Sequence, residues 1–218
     1  MILIIGRHGA SVDYENIDQD VDIKRQTKLS KLSHSGKDQA HLQGRQVSIY
    51  RPDVMFTSPY QRARETAEIV AEYSPQLFPN IIEDLAEIRR IVDGHSIYSQ
   101  LNLDYKKWRG ETLRKADLNA RFHPKDESFG ELIARQTKFK YYLQKEYDNQ
   151  TIFASGHSQA HGMLMASCLL GDKPDPRAVF EFFNRHFMSH GAISILTWDY
   201  RKGWQMKDSE FNITKHLK

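Results

Sequence analysis

Residues 2–9 read Ile2-Leu3-Ile4-Ile5-Gly6-Arg7-His8-Gly9. The apolar run Ile2 to Ile5, closed by Gly6, fits a short buried strand. Arg7, His8 and Gly9 then stand at its C-terminal mouth. That trio suits a phosphate group. A guanidinium can fork two phosphate oxygens, an imidazole can attack phosphorus or hold its charge, and a glycine lets backbone come close to a ligand. Three residues are a weak motif, so their partners must come from elsewhere in the chain.

Beyond this segment, strands and helices alternate. Asp53 to Thr57, Asn80 to Glu83, Thr151 to Ser155 and Gly191 to Trp198 read as further strands, with another around Trp204 to Lys207. A helix capped by Ser33 or Ser35 runs to about Ser48, with Leu42 and Val47 inward. Ser58 as N-cap and Pro59 at the first helical position open a second helix to about Tyr73. Others span Ser128 to about Tyr147, Ser158 to Leu170 with Gly171 ending it, and Asp175 to about Phe187. Asp13 to Leu32 reads as a polar surface loop. Asp84 to Asp126 has no clean periodicity and reads as an insertion of loops and short helices over one face. The alternation predicts an α/β fold with a mainly parallel sheet. Ligands bind such sheets at the C-terminal strand ends.

Composition narrows the function. A chain of 218 residues can bury one good core. No apolar run approaches the ~20 residues that span a bilayer, and Met1 to Ile5 is too short for a signal peptide. Cys168 is the single cysteine, so no intrachain disulfide forms, and its apolar setting reads as core. The net charge of +3 is interspersed, without the basic stripe of a nucleic-acid binder. Neither a membrane nor a nucleic-acid partner is expected, and the expected location is cytoplasmic.

The residues just after each strand make up one set of groups. Arg7 and His8 come after the first strand. Ser58, and then Arg62 on the first turn of its helix, come after the second. Asp84 and Glu87 come after the third, and Gly156-His157 after the fourth. Two helix N-termini would add backbone donors for an anion. Taken singly, each residue has a plainer account: Arg62 as a solvated helix residue, Glu87 as a surface acid, His157 as a core histidine. The set at successive strand ends is harder to dismiss.

Longer stretches accompany these residues: Ser58-Pro59-Tyr60-Gln61-Arg62-Ala63-Arg64-Glu65-Thr66-Ala67, Leu85-Ala86-Glu87, Glu127-Ser128-Phe129, Ser155-Gly156-His157 and the tail Phe211 to Leu217. In this order, with Arg7-His8-Gly9, they resemble the histidine phosphatase superfamily, the phosphoglycerate mutase-like proteins. The resemblance covers nearly the whole chain and is weak only between about Arg90 and Asp126. It implies a three-layer α/β/α sandwich with a mainly parallel central sheet, as one domain over 1–218 with an insertion at about 88–126.

The resemblance also implies roles. His8 is the nucleophile and becomes phosphorylated; Arg7, Arg62 and His157 hold the phosphoryl oxygens; Glu87 protonates the leaving oxygen and then activates water. No cofactor or metal is implied. Physical chemistry agrees: phosphoryl transfer asks mainly for positioning and fixed positive charge. His8 must be neutral at its attacking nitrogen, so the other nitrogen should donate to a backbone carbonyl. His157 starts a helix whose dipole disfavours imidazolium, whereas a bound phosphate dianion favours it. Where the family often has glycines after the second histidine, Ser158 and Gln159 stand here, as candidate substrate contacts. Ser11 is another, a plain turn hydroxyl being the alternative, and Asn16 a further one at longer spacing. Tyr105, Lys106, Lys107, Trp108 and Arg109 form either a lid or a solvated loop packed through Trp108.

The resulting expectation is a phosphatase acting on a small-molecule phosphate monoester or a phosphoprotein. A phosphoglycerate mutase-type phosphotransferase shares all five residues and differs in keeping water out, but the middle of the chain lacks a mutase-like substrate segment. A non-catalytic phospho-ligand or protein-binding module is the third reading, opposed by retention of both histidines, both arginines and the acid. Neither the particular substrate nor the oligomeric state is legible.

Overall fold

A computed structural model describes residues 1–12, 29–89 and 100–211. Six strands form one sheet: β1 (Ile2–Arg7), β2 (Val54–Thr57), β3 (Pro79–Ile81), β4 (Thr151–Gly156), β5 (Ile193–Asp199) and β6 (Gly203–Phe211). Their order is β3-β2-β4-β1-β5-β6. The pairs β1·β4, β2·β4 and β2·β3 are parallel, whereas β5 runs antiparallel to both β1 and β6. The expected α/β fold with a mainly parallel sheet is therefore the observed one.

Six α-helices accompany the sheet among the described residues: α1 (His34–Ser48), α2 (Gln61–Ala71), α3 (Gln100–Lys115), α4 (Phe129–Glu146), α5 (Ser158–Leu169) and α6 (Pro176–Arg185). Side chains alternate across the central strands and meet a different helix pair on each face. Leu3, Ile5, Ile152 and Ala154 pack with Phe139 and Leu143 of α4 and Leu164 and Met165 of α5. Ile4, Met55 and Phe153 pack with Val47 of α1 and Ala67 and Val70 of α2. A further cluster of Phe129, Leu132, Met163, Val179 and Phe183 locks α6 onto α4 and α5. The core is closed, so truncating Leu3 or Leu164 to alanine costs about 2–5 kcal/mol. Cys168 lies in it, and burial pushes its thiol up to about 12. Among the described residues, no helix is long and apolar enough to cross a membrane.

Several elements differ from their sequence reading. The Ser33 cap of α1 is as expected, its hydroxyl accepting from the Gly36 N–H, but Leu42 is only half-buried. Gln43 is wholly buried beside Val47 because its amide nitrogen donates to the carbonyls of Arg7 (3.1 Å), Gly191 and Ala192 (both 3.3 Å). Helix α2 starts two residues later than expected, with Tyr60 as N-cap. Ser58 is not a cap: its hydroxyl accepts from the Tyr60 N–H and bonds His157. The segment from Asp84 to Asp126 contains one sixteen-residue helix, α3, instead of only short ones. Its sequence is polar on most sides, which hides a helical period, and it ends without glycine at Ala116, whose φ is 53°. Tyr105, Trp108 and Phe122 pack together there, with ring centroids 5.5–5.6 Å apart. Asn16 and the tail after Phe211 lie outside the described residues.

Candidate active site

The sheet register brings the strand ends level. Arg7 pairs with Gly156 and Thr57 with Ser155. The ladder continues one residue further on each strand, through His8 N–H to Gly156 C=O (3.0 Å) and Ser58 N–H to Ser155 C=O (2.9 Å). His8, Ser58 and His157 therefore emerge side by side, all three buried.

Hydrogen bonds fix the tautomer of His8. Its Nδ1 lies 2.6 Å from the Gly9 carbonyl, which only accepts, so Nδ1 carries the proton. Nε2 is left with its lone pair, and Arg62 Nε donates to it at 3.0 Å. The expected bond from His8 to a backbone carbonyl is thus present. Gly9 has a further use beside the one expected: a Cβ there would meet the Gly36 carbonyl oxygen at 2.1 Å. The glycine allows α1, and not only a ligand, to approach the backbone.

Arg62 bridges the two histidines. Its Nη2 lies 3.3 Å from His157 Nδ1, and since a guanidinium only donates, that nitrogen accepts. His157 Nε2 then donates to Ser58 Oγ at 2.8 Å. Arg62 also stacks over the Tyr60 ring, 5.2 Å from its centroid. Thr66, one turn along α2, donates to the Arg62 carbonyl (2.8 Å) and accepts from the Gly9 N–H (3.2 Å), tying α2 to the loop after β1.

Arg7 is held from a region that a search of strand ends passes over. Its Nη1 donates to the Met188 carbonyl and its Nη2 to His190 Nε2, both at 2.7 Å. His190 is 5.3 Å from His8 between ring centroids, and His157 is 5.0 Å from it. No residue near His190 signals this place in the sequence; it follows from the antiparallel direction of β5. An antiparallel strand brings its N-terminal end to the edge where parallel strands end, so the residues before β5 belong in the search.

Glu87 reaches the same region through α5. Its Oε1 accepts from the N–H groups of Ile88 (2.9 Å) and Ala160 (3.1 Å), and Oε2 from that of Gln159 (3.3 Å). Two of the helix N-terminal donors expected to face an anion are thus engaged by this carboxylate. Ser158, the first residue of α5, is buried, and the Gln159 amide oxygen is buried without a hydrogen-bond partner. Ser11 is buried and pairs with Leu32 in an isolated bridge.

Burial sets the electrostatics. It holds His8 and His157 well below the usual imidazole range, followed by the Arg62 guanidinium in both cases. His190 is lowered to about 3 by burial and then by Arg7 and Arg62. The site therefore presents two guanidinium cations among neutral imidazoles. Such donors can hold a tetrahedral oxyanion, and the His8 Nε2 lone pair can attack an electrophilic centre within it. Among the described residues, no three His, Cys, Asp or Glu side chains are grouped as a metal-ligand set.

Comparison with known proteins gives the same family. The model of the histidine phosphatase superfamily (branch 1) matches residues 3–210. No curated protein matches the chain in sequence. Solved structures do match its fold. A mycobacterial glucosyl-3-phosphoglycerate phosphatase in complex with VO3 superposes with a TM-score of 0.75 at 19% identity, over 94% of this chain and 96% of that one. A phosphoserine phosphatase variant of Entamoeba histolytica, in complex with phosphoserine, gives 0.73 at 18% identity over 100% and 99%. A second mycobacterial protein, described as hydrolase 1, gives 0.73 at 17% over 95% and 96%. With its strand ends arranged as described and the family model matched over nearly its whole length, the chain belongs to the histidine phosphatase superfamily.

Proposed function

We propose that the protein is a phosphatase that hydrolyses a phosphate monoester through a phosphohistidine on His8. The observation that carries this reading is the fixed tautomer of His8, with Nδ1–H on the Gly9 carbonyl and the Nε2 lone pair facing Arg62. In the first step Nε2 attacks phosphorus and the ester P–O bond breaks. Arg62 shifts its Nε–H from the imidazole to a phosphoryl oxygen, and Arg7 and His157 hold the others. Glu87 gives a proton to the leaving oxygen. In the second step water attacks phosphorus, the P–N bond breaks, and Glu87 takes the proton from water.

Ser11, Ser158 and Gln159 remain proposed substrate contacts, with Gln159 the best supported through its unpartnered buried amide oxygen. The similar structures named above include phosphatases of small phosphorylated molecules, which supports a small-molecule monoester ahead of a phosphoprotein. A cytoplasmic location belongs to the same reading. Assay of a phosphomonoester panel alongside phosphoglycerates tests it: inorganic phosphate should accumulate. Isomer interconversion without phosphate release would make the protein a mutase, and tight phosphate binding without turnover would make it a binding module.

A further inference from the structure

Glu87 sits on a segment with little regular structure of its own. A single 3-10 turn, Glu83–Leu85, precedes it. The backbone on both sides is nevertheless fastened to α4. Arg135 donates from Nη1 to the carbonyls of Asp84 (2.5 Å) and Ala86 (3.0 Å). Gln136, wholly buried, donates to the same Asp84 carbonyl. Glu127 accepts from the Arg89 N–H and donates its own N–H to the Arg89 carbonyl, both at 2.9 Å. Arg135 and Glu127 also pair with each other through two parallel bonds, Nε to Oε1 and Nη2 to Oε2, each 2.9 Å.

This ion pair is desolvated, with side-chain exposures of 10% for Arg135 and 9% for Glu127. Burying such a pair gains little stability over apolar packing of the same volume. What the fork does supply is geometry. One planar guanidinium reads two carbonyls and a carboxylate at once, which a lysine ammonium cannot do. The pair's contacts fall at residues 84, 86 and 89, bracketing the acid. The capping box of α4, in which Ser128 and Glu131 bond each other's backbone N–H, fixes the start of that helix right beside Glu127.

We propose that Glu127 and Arg135 form a positioning pair that holds the Glu87 carboxyl where it can exchange a proton with the leaving oxygen. The pair acts on Glu87 through the backbone of residues 84, 86 and 89 and takes no part in the chemistry itself. The inference rests on the reading of Glu87 as the acid. A general acid contributes about 10²–10⁴-fold, and a misplacement of about 1 Å can cost about 10²-fold.

The test compares Arg135→Lys, Glu127→Gln and Glu87→Gln on two substrates. An alkyl phosphate needs its leaving oxygen protonated, whereas p-nitrophenyl phosphate does not. Arg135→Lys and Glu127→Gln should lower kcat/KM for the alkyl phosphate by about 10- to 100-fold and for p-nitrophenyl phosphate by no more than about threefold. Inhibition by inorganic phosphate should be unchanged, since the cradle around His8 is untouched. In a Glu87→Gln background Arg135→Lys should add little. Equal losses on both substrates, or full additivity with Glu87→Gln, would overturn the proposal. If Glu87→Gln itself shows no leaving-group dependence, the assignment of Glu87 as acid fails instead. Glu127→Gln keeps the test decisive should Arg135→Lys not fold.

Discussion

The two walls of the candidate site are built differently. The cradle wall hangs on the sheet: Arg7, His8 and His157 stand at strand ends whose positions follow from the ladder, and Arg62 lies two residues into α2. The acid wall hangs on side chains: Glu87 is aimed by Arg135 and Gln136 of α4, by Glu127 just before that helix, and by the first N–H groups of α5. A strand end is placed by many backbone bonds acting together, whereas a side-chain clamp depends on a few groups. The cradle should therefore tolerate change around it, and the acid wall should be sensitive at a distance.

The largest effect expected from this contrast lies within the cradle itself. Arg62→Ala removes the donor to both His8 and His157, and kcat/KM should fall about 10²–10³-fold on every phosphate ester alike. Initial rates on an alkyl and an aryl phosphate check it. A loss confined to poor leaving groups would place Arg62 with the acid wall and erase the distinction. Next comes His190→Ala, which leaves Arg7 Nη1 on the Met188 carbonyl but strips the acceptor from Nη2. A drop of roughly tenfold in kcat/KM is expected, again without leaving-group dependence. Unchanged kinetics would show that the sheet alone orients Arg7.

A third effect concerns stability and lies outside both walls. His161 is wholly buried beside the site, both ring nitrogens lack hydrogen-bond partners, and burial lowers it to about 3. The unfolded chain binds a proton there near the ordinary imidazole value of about 6.5, while the native state refuses it until about 3. Unfolding therefore takes up a proton between these values, and native stability falls as the solution is acidified through that window. At pH 5 the share of His161 is about 2 kcal/mol. His161→Leu should raise Tm at pH 5 more than at pH 7.5 and flatten the pH dependence, measured by thermal unfolding. A variant with the wild-type slope would contradict this.

The same contrast explains how much was legible in the sequence. Arg7, His8, Arg62 and His157 could be found because strand ends and the residues after them leave a local pattern. The starts of α4 and α6 were legible near Ser128 and Asp175, and the structure adds that these residues cap the two helices. His190 was not, since its place depends on β5 running antiparallel, which no residue near it announces. Ser58 carried a misleading signal, for Ser-Pro is an ordinary helix entry, yet its hydroxyl serves His157. Helix α3 escaped because a polar helix has no apolar period. The Arg135–Glu127 clamp joins residues eight apart to a segment 38 to 51 residues earlier, and only the fold shows that contact.

The proposed mechanism stands or falls on His8 accepting the phosphoryl group. The decisive measurement is rapid acid-free quenching of the enzyme with a labelled phosphate ester, followed by mapping of the label. An acid-labile, base-stable phosphoryl group is expected on His8 in the wild-type protein and none in His8→Ala. The same label on both proteins, or turnover of the wild type with no trapped phosphohistidine under any quench, would contradict it.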